Sequence, residues 1–344
     1  MRPASTTHSP FSRIRPLALS LLLFILPAAA AVEKTKGEQK PNPIAQGNAL
    51  YEKGDYAGAA DLYRQVALTS TRPLQRAFAW FNLGNCHVQT QSYNKAIVAY
   101  QRSVESSPGF SRAWSVLGDV YYQLHAIGEA TACYRRVLEN EGEDFHARQM
   151  LGECALQGGD VTEALKNLDA AIKIEPELPD LYLAQSEALA RIRDYEGAEK
   201  VMEQALLRLS RPPADAFFYL GQLYELDGKN RKAVRAYEEG VSYAPKRKEY
   251  WFRIANIHQR EGDDFLALLT LEQAIASGLK DAEMHLRRAL IFFDQRRYDK
   301  ALDEFALARD LGSPQGRRGI ENIAAVYANS GDGEKAQAVR AMLR

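Results

Sequence analysis

Small and apolar residues recur along this chain with a period of 34 or 35 positions, after a first interval of 37. Each period predicts two amphipathic helices joined by a tight turn, because apolar residues repeat within it at helical spacing. An alanine holds the same place in every second helix: Ala59, Ala96, Ala130, Ala164, Ala198, Ala233, Ala267, Ala301 and Ala336. A second small residue precedes each alanine by 12 positions: Gly47, Gly84, Gly118, Gly152, Ser186, Gly221, Ala255, Ala289 and Ala324. A fixed period of this length predicts a stacked array of helix pairs.

Small residues on facing helices let the two helices of a pair approach closely. In the second unit Gly84 and Ala96 hold these places, and the bulky Trp80 and Tyr100 fill the space above and below them. The apolar face of one pair cannot be buried alone, so neighbouring pairs must stack. Proline cannot continue the hydrogen-bond ladder of a helix, and it ends three of the second helices, at Pro108, Pro176 and Pro245.

The motif within each period resembles the tetratricopeptide repeat, whose unit shows W-x2-L-G-x2-Y, then Ala, an aromatic residue and Pro. The second unit matches it with Trp80, Leu83, Gly84, Tyr93, Ala96, Tyr100 and Pro108. The Leu position is replaced by Gln46, Gln185 and Arg288 in the first, fifth and eighth units. The resemblance implies an all-α fold, a right-handed superhelical solenoid of about nine helix-turn-helix units over residues 43–344. The units lie near residues 43–73, 77–110, 111–144, 145–178, 179–213, 214–247, 248–281, 282–315 and 317–344.

The N-terminal segment has the pattern of a secretory signal. Arg2, Arg13 and Arg15 precede an apolar run over residues 17–26, and four alanines follow at 28–31. A positive start, a short apolar run and small residues at the end are typical of a signal peptide. We therefore expect a signal peptide at residues 1–31, a polar linker at 32–42, and export to the periplasm or the medium. Residues 16–32 form a 17-residue run, so an uncleaved membrane anchor is the alternative.

Composition disfavours several other classes of protein. Lys plus Arg equals Asp plus Glu at 44 each, so the chain lacks the basic field that drives nucleic-acid binding. The three cysteines, Cys86, Cys133 and Cys154, form no CxxC motif. Cys86 and Cys154 lie two repeats apart, too far for a disulfide, whereas the Cys133–Cys154 pair stays open. No catalytic motif is present, and nine repeats leave no stretch for a catalytic domain. We expect no enzyme activity, no cofactor and no metal.

Protein partners are what the resemblance implies. In this family the first helices line an extended concave surface, at the second, fifth, sixth, ninth, twelfth and thirteenth positions of each repeat. The residues predicted to bind a partner there are Asn48, Phe81, Asn82, Asn85, Arg112, Tyr122, Phe218, Tyr219, Arg253, Asn256, Arg260, Arg287 and Arg318. The ninth position is acidic in three successive repeats, at Asp119, Glu153 and Glu187.

Two of these residues match the family's carboxylate clamp, which holds the terminal carboxylate of chaperone tails. Asn48 and Asn82 fit its asparagine positions, but Ile44 and Val116 stand where Lys and Arg are needed. A clamp of this kind is therefore not expected.

The C-terminal arginines offer a different chemistry. Arg253, Arg260, Arg287 and Arg318 can pair the carboxylates of an acidic peptide segment, with Phe218, Tyr219 and Phe252 as apolar anchors. The alternative is that they pair with local acids such as Glu249 and Glu283.

The function predicted from the sequence is that of an exported, non-catalytic scaffold or adaptor. It would mediate protein–protein interactions in an envelope or secretory assembly, binding peptide or helical segments on its concave face. The alternative is a membrane-anchored regulatory subunit that recruits a separate enzyme.

Overall fold

The computed structural model describes residues 42–343, all of whose regular elements are α-helices. The predicted signal peptide, and the linker up to residue 41, lie outside the described residues. In chain order the helices are α1 (Pro43–Glu52), α2 (Tyr56–Thr69), α3 (Pro73–Gln89), α4 (Tyr93–Ser106), α5 (Ser111–Gln123), α6 (Ile127–Glu141), α7 (Phe145–Gly158), α8 (Val161–Ile174), α9 (Pro179–Arg191), α10 (Tyr195–Arg208), α11 (Ala214–Leu226), α12 (Asn230–Tyr243), α13 (Lys248–Arg260), α14 (Asp264–Ala276), α15 (Ala282–Asp294), α16 (Tyr298–Asp310), α17 (Pro314–Asn329) and α18 (Gly333–Ala341). Among these residues, no helix is both long enough and apolar enough to cross a bilayer.

The chain divides into two compact units, with the boundary after Arg193. The N-terminal unit holds α1–α9, and the C-terminal unit holds α10–α18. Within each unit every helix packs against the helices before and after it in the chain. This nearest-neighbour packing confirms the predicted all-α array of stacked helix pairs.

In four of the pairs the glycine of the first helix, at Gly47, Gly84, Gly118 and Gly221, makes room for a tyrosine ring, whereas Gly152 makes room for Leu168. A Cβ atom added to Gly84 would lie 2.5 Å from Cε1 of Tyr100, a side chain fully buried in α4. Gly118 meets Tyr134 in the same way in the next pair. The tyrosine ring, and not the opposite backbone, is thus the group that approaches, and Tyr100 lies against Gly84 instead of above or below it as expected from the sequence.

Every turn within a pair contains one residue in the left-handed region, which reverses the chain in few residues. Glycine adopts positive φ without steric cost, whereas other residues pay for it. The positive-φ residues of these turns are Gly54, Gln91, His125, Gly159, Arg193, Gly228, Gly262, Arg296 and Gly331. In several turns an aspartate then caps the second helix, as when Asp160 Oδ1 accepts the amide hydrogen of Glu163.

The three cysteines are free and buried. Burial raises the pKa of the Cys86 and Cys133 thiols to about 12, and that of Cys154 to about 11. These thiols behave as small core side chains, in agreement with their places in the repeat.

Candidate functional site

Side chains at the ninth position of the repeat, which lies on the first helix, form hydrogen bonds with tyrosines of the second helix. In three of the pairs a buried tyrosine hydroxyl donates to a polar side chain 15 residues earlier. The bonds run from Tyr63 to Asn48 (2.6 Å), from Tyr100 to Asn85 (2.7 Å) and from Tyr134 to Asp119 (2.8 Å). These ninth-position residues therefore satisfy a buried hydroxyl, which limits what they can offer to a partner.

The predicted site residues of α3 are mostly buried. Phe81 packs against the rings of Tyr100 and Phe110, with ring centroids 5.7 and 5.3 Å apart. Asn82 is 1% exposed and Asn85 is fully buried. Neither amide atom of Asn82 has a hydrogen-bond partner among the described residues. Phe81 and Asn85 thus contribute to packing, and Asn82 holds an unused donor and acceptor.

The remaining predicted residues of the N-terminal unit lie at its surface or just beneath it. Asn48 and Arg112 are half-buried, and burial lowers the pKa of the Arg112 guanidinium. Tyr122 is buried, and its hydroxyl accepts from Nε2 of Gln157 at 2.6 Å. In this unit Asn48 and Arg112 are the predicted residues that retain accessible surface. Ile44, at the clamp's cationic position, lies in the core.

The three acidic ninth-position residues differ in how they are satisfied. Asp119 accepts from Tyr134 and lies 2.7 Å from Nε2 of His146. Burial acts to lower the pKa of His146, but the hydrogen bond and charge of Asp119 outweigh it, so the pKa is raised. Glu187 is buried and bonds to Arg191 at 2.7 Å.

Glu153 has the most perturbed carboxyl group of this row. Burial, followed by the negative charge of Glu187, raises the pKa of Glu153 to about 7, although Arg191 acts in the opposite direction. The charge of this face therefore changes near neutral pH.

The arginines of α13 converge on one carboxylate in the C-terminal unit. Arg260 lies 2.8 Å from Oε2 of Glu225, and Arg253 lies 3.5 Å from Oε1. The hydroxyl of Tyr237 also donates to Glu225, at 2.7 Å. Both arginine side chains remain accessible, at 40% for Arg253 and 56% for Arg260, whereas Glu225 is largely buried.

Arg287 extends the same surface from α15. Its Nε donates to Glu283 at 2.9 Å, and a second guanidinium nitrogen donates to Oδ1 of Asn256. The guanidinium also lies over the ring of Phe252, 4.6 Å from the centroid. Arg253, Asn256 and Arg260 share one face of α13 by their spacing. Arg253, Asn256, Arg260 and Arg287, together with Phe252, are called the arginine surface below.

The other predicted residues of this unit do not belong to the arginine surface. Phe218 is half-buried, and the guanidinium carbon of Arg247 lies 5.0 Å from the centroid of the Phe218 ring. Tyr219 is buried. Arg318 is exposed on α17, with no hydrogen bond or ion pair to another described residue. Three of the four predicted arginines pair with local acids, Arg253 and Arg260 with Glu225 and Arg287 with Glu283. Glu249, the other acid named, pairs with Arg247 instead.

The charge of the arginine surface is positive overall. Three guanidinium groups, of Arg253, Arg260 and Arg287, face two carboxylates, of Glu225 and Glu283. Charge-assisted pairing with a further carboxylate is the chemistry this arrangement favours. Glu225 was missed from the sequence, although its twelfth position in the repeat is one of those named as concave.

No cluster of three or more His, Cys, Asp or Glu side chains in the described part of the chain could hold a metal ion.

A comparison with protein families matches the tetratricopeptide repeat to residues 44–109, 115–179, 183–230 and 266–315. A second tetratricopeptide repeat profile matches residues 215–246. A curated relative is the TPR repeat-containing protein YpiA of Bacillus subtilis (strain 168), which is 23% identical over 158 residues. The match covers 46% of this chain and 37% of that protein.

Two solved structures of TPR proteins match this chain. The C-terminal part of a TPR repeat-containing protein from Cytophaga hutchinsonii has a TM-score of 0.53 at 12% identity, over 80% of this chain and 98% of that one. YrrB, described as a TPR protein with an unusual peptide-binding site, has a TM-score of 0.44 at 20% identity, over 51% of this chain and 89% of its own.

Proposed function

Because the chain belongs to the tetratricopeptide repeat family, whose members serve as protein-interaction scaffolds, we propose that it is an exported, non-catalytic adaptor in an envelope or secretory assembly. Its partner is a protein segment with acidic side chains, bound along the arginine surface of the C-terminal unit.

The observation that carries this proposal is the pair of accessible arginines around a single buried carboxylate. Arg253 and Arg260 share Glu225, so each guanidinium keeps N–H donors for another acceptor. The planar guanidinium pairs carboxylates bidentately, which favours Asp or Glu side chains in the partner.

The aromatic side of the surface supports an apolar contact beside the acidic one. Phe252 is half-buried beneath Arg287, which holds the ring in place by stacking. A partner segment that places an apolar side chain next to an acidic one would use both groups. Helices that change little on binding lose little free energy to ordering, which favours binding of a short segment.

Site-specific photo-crosslinking in the native host tests the surface. A benzoylphenylalanine at Gln259, which is exposed on α13, should crosslink a partner whose attached peptide contains Asp or Glu. The same probe at Gln204, exposed on α10, is the positional control. The adduct should disappear in Arg253→Glu/Arg287→Glu. An adduct that persists in this double variant would rule out the arginine surface as the binding site.

Export is tested separately by the size and N-terminal sequence of the mature chain. Loss of about 30 residues, the usual length range of a signal peptide, supports the exported adaptor. A full-length chain in the membrane fraction would favour the anchored regulatory subunit instead, with residues 16–32 retained as the anchor.

A further inference from the structure

The ninth position of the repeat changes from polar to apolar near the C-terminal end of the array. This position lies on the first helix, directly after the small residue that faces the second helix. In chain order it is occupied by Asn48, Asn85, Asp119, Glu153, Glu187, Gln222, Asn256, Leu290 and Ala325. The first seven of these residues are polar and the last two are apolar, so the last two repeats offer a partner a different contact.

Leu290 is the large and exposed apolar residue of this series. It lies in the middle of α15 and is 46% exposed. Arg287 lies one turn before it, so both side chains share a face of the helix. Phe252, the aromatic residue of the arginine surface, is half-buried with the guanidinium of Arg287 over its ring. Leu290 is therefore the more accessible apolar contact beside the arginines.

The ninth position faces the first helix of the following repeat. Asp119 at this position lies 2.7 Å from Nε2 of His146, which holds the second position of the next repeat. After Leu290 the second position is held by Arg318 on α17, and α17 packs against α15. Because the repeats share one geometry, Arg318 lies beside Leu290.

Small and uncharged side chains continue the surface from Leu290 onto α17. Asn322 and Ala325 are exposed one and two turns after Arg318. The methyl group of Ala325 leaves Leu290 uncovered. Leu290 and Ala325 are called the apolar floor below, and each of the two helices that carry it also carries an arginine.

The acids near the apolar floor do not surround it. Glu321 of α17 pairs with Arg317 at 3.4 Å, and Asp294 is exposed at the C-terminal end of α15, one turn beyond the floor. Arg287 and Arg318 precede the floor on their helices, whereas Asp294 follows it. Acidic side chains of a partner are therefore attracted to one side of the floor and repelled from the other.

We infer that the segment bound by the arginine surface continues over the apolar floor and places an apolar side chain on Leu290, between acidic side chains that pair with Arg287 and Arg318. Arg287 donates to Glu283 and Asn256, but its five N–H groups leave donors for a further carboxylate. The inference rests on the proposed function, and it names the residue that selects among acidic segments. A segment of equal charge without the apolar side chain leaves Leu290 without a contact and binds more weakly.

Peptide selection on three chains tests the role of Leu290. A random twelve-residue library is panned on the wild type, on Leu290→Ser and on Leu307→Ser. Leu307 is the matched control, because it is also 46% exposed but lies on α16, a second helix. Peptides from the wild type and the control should place Leu, Ile, Met or Phe between Asp or Glu residues. Peptides from Leu290→Ser should keep the acidic residues and lose the preference for the apolar one.

The affinities of the most enriched wild-type peptide measure the contact. Leu290→Ser should weaken its binding at least about fivefold, as for a residue that contributes to an interface. A version of the peptide with serine in place of its apolar residue should bind the wild type and Leu290→Ser alike, because both changes remove the same contact. Thermal unfolding of Leu290→Ser and Leu307→Ser should agree, since both leucines are equally exposed, which separates weaker binding from misfolding.

The contribution of α17 is measured with the same peptide. Arg318→Ser should weaken its binding by about twofold to fivefold, as for an exposed ion pair. Arg340→Ser, at an exposed arginine of α18, should leave the binding unchanged. Equal affinity of the Arg318→Ser and Arg340→Ser chains would show that the segment does not reach α17 and would contradict the inference.

The outcomes distinguish this inference from the proposed function on which it rests. Selected peptides that bind Arg253→Glu/Arg287→Glu weakly but bind Leu290→Ser as tightly as the wild type would overturn the inference alone. A fivefold loss for the serine version of the peptide as well would also overturn it, because Leu290 would then act on the arginines and not on the apolar side chain. Selection on the wild type without acidic residues would overturn both.

Discussion

Gly84→Ala should lower the opening free energy of helices α3 and α4 by about 2 kcal/mol. The added Cβ would lie 2.5, 2.7 and 2.9 Å from three ring carbons of Tyr100. That ring is fully buried and its hydroxyl is bonded to Asn85, so it cannot move without breaking the bond. Overpacking costs about 1–3 kcal/mol and the lost hydrogen bond about 1 kcal/mol. The higher helix propensity of alanine returns about 1 kcal/mol.

Native-state hydrogen exchange is the suitable measurement, because a repeat array can open one pair at a time. A loss of about 2 kcal/mol corresponds to roughly 30-fold faster exchange of the α3 and α4 amides. Tyr100→Leu in the same chain should recover at least about 1 kcal/mol relative to additivity. Ala255 and Leu271 already hold the equivalent places in α13 and α14. Unchanged exchange in Gly84→Ala, or costs that simply add, would refute the ring-space argument.

Three further changes have outcomes fixed by the structure. Ala164→Trp should destabilise the α7–α8 pair by about 1–3 kcal/mol, because Ala164 is fully buried; an unchanged thermal midpoint would count against its inward position. The pKa of Glu153 is raised to about 7, so its contribution to stability is complete below about pH 4 and lost as the pH rises through 7. Glu153→Gln should therefore raise the free energy of unfolding by up to about 3 kcal/mol near pH 8 and leave it unchanged near pH 4, and equal stabilities at both would exclude this titration. Gly54→Ala should lower the free energy of unfolding, measured by chemical denaturation, by about 1 kcal/mol, because Gly54 has a φ of +83° and no neighbour that an added Cβ would meet. Gly128 is equally open but lies within α6, so Gly128→Ala should stabilise the chain. A change of the same sign for both variants would contradict the role of the turn.

The helix pairs could be predicted from the sequence because their spacing is a steric requirement. A tyrosine ring fits only where the facing helix lacks a large side chain. A small residue and a tyrosine, such as Gly84 and Tyr100, therefore stand at a fixed separation in the sequence. The conformation of the turns was harder to predict, because Gln91 and His125 adopt the left-handed region, in which glycine is usually found. Their conformation is imposed by the helices on either side.

The candidate site was less predictable, because position in a repeat does not determine exposure. Asn85 falls at a concave position, but its side chain is buried and accepts a hydrogen bond from the hydroxyl of Tyr100. The 15-residue spacing of such pairs was a signal in the sequence that could have identified this role. Glu225 shows the opposite case, since its place between Arg253 and Arg260 depends on side-chain conformations across two helices. That acidic peptides bind this surface stays a prediction.

Peptide selection on the purified chain tests the acidic-segment proposal most directly. A random peptide library would be panned against the wild type, Arg253→Glu/Arg287→Glu, and the charge-matched control Arg208→Glu/Arg340→Glu, whose arginines are exposed on α10 and α18. We expect enriched peptides that combine Asp or Glu with an apolar residue and bind the wild type and the control alike. They should bind Arg253→Glu/Arg287→Glu at least about tenfold more weakly. Peptides without acidic residues, or equal affinity for all three chains, would contradict the proposal.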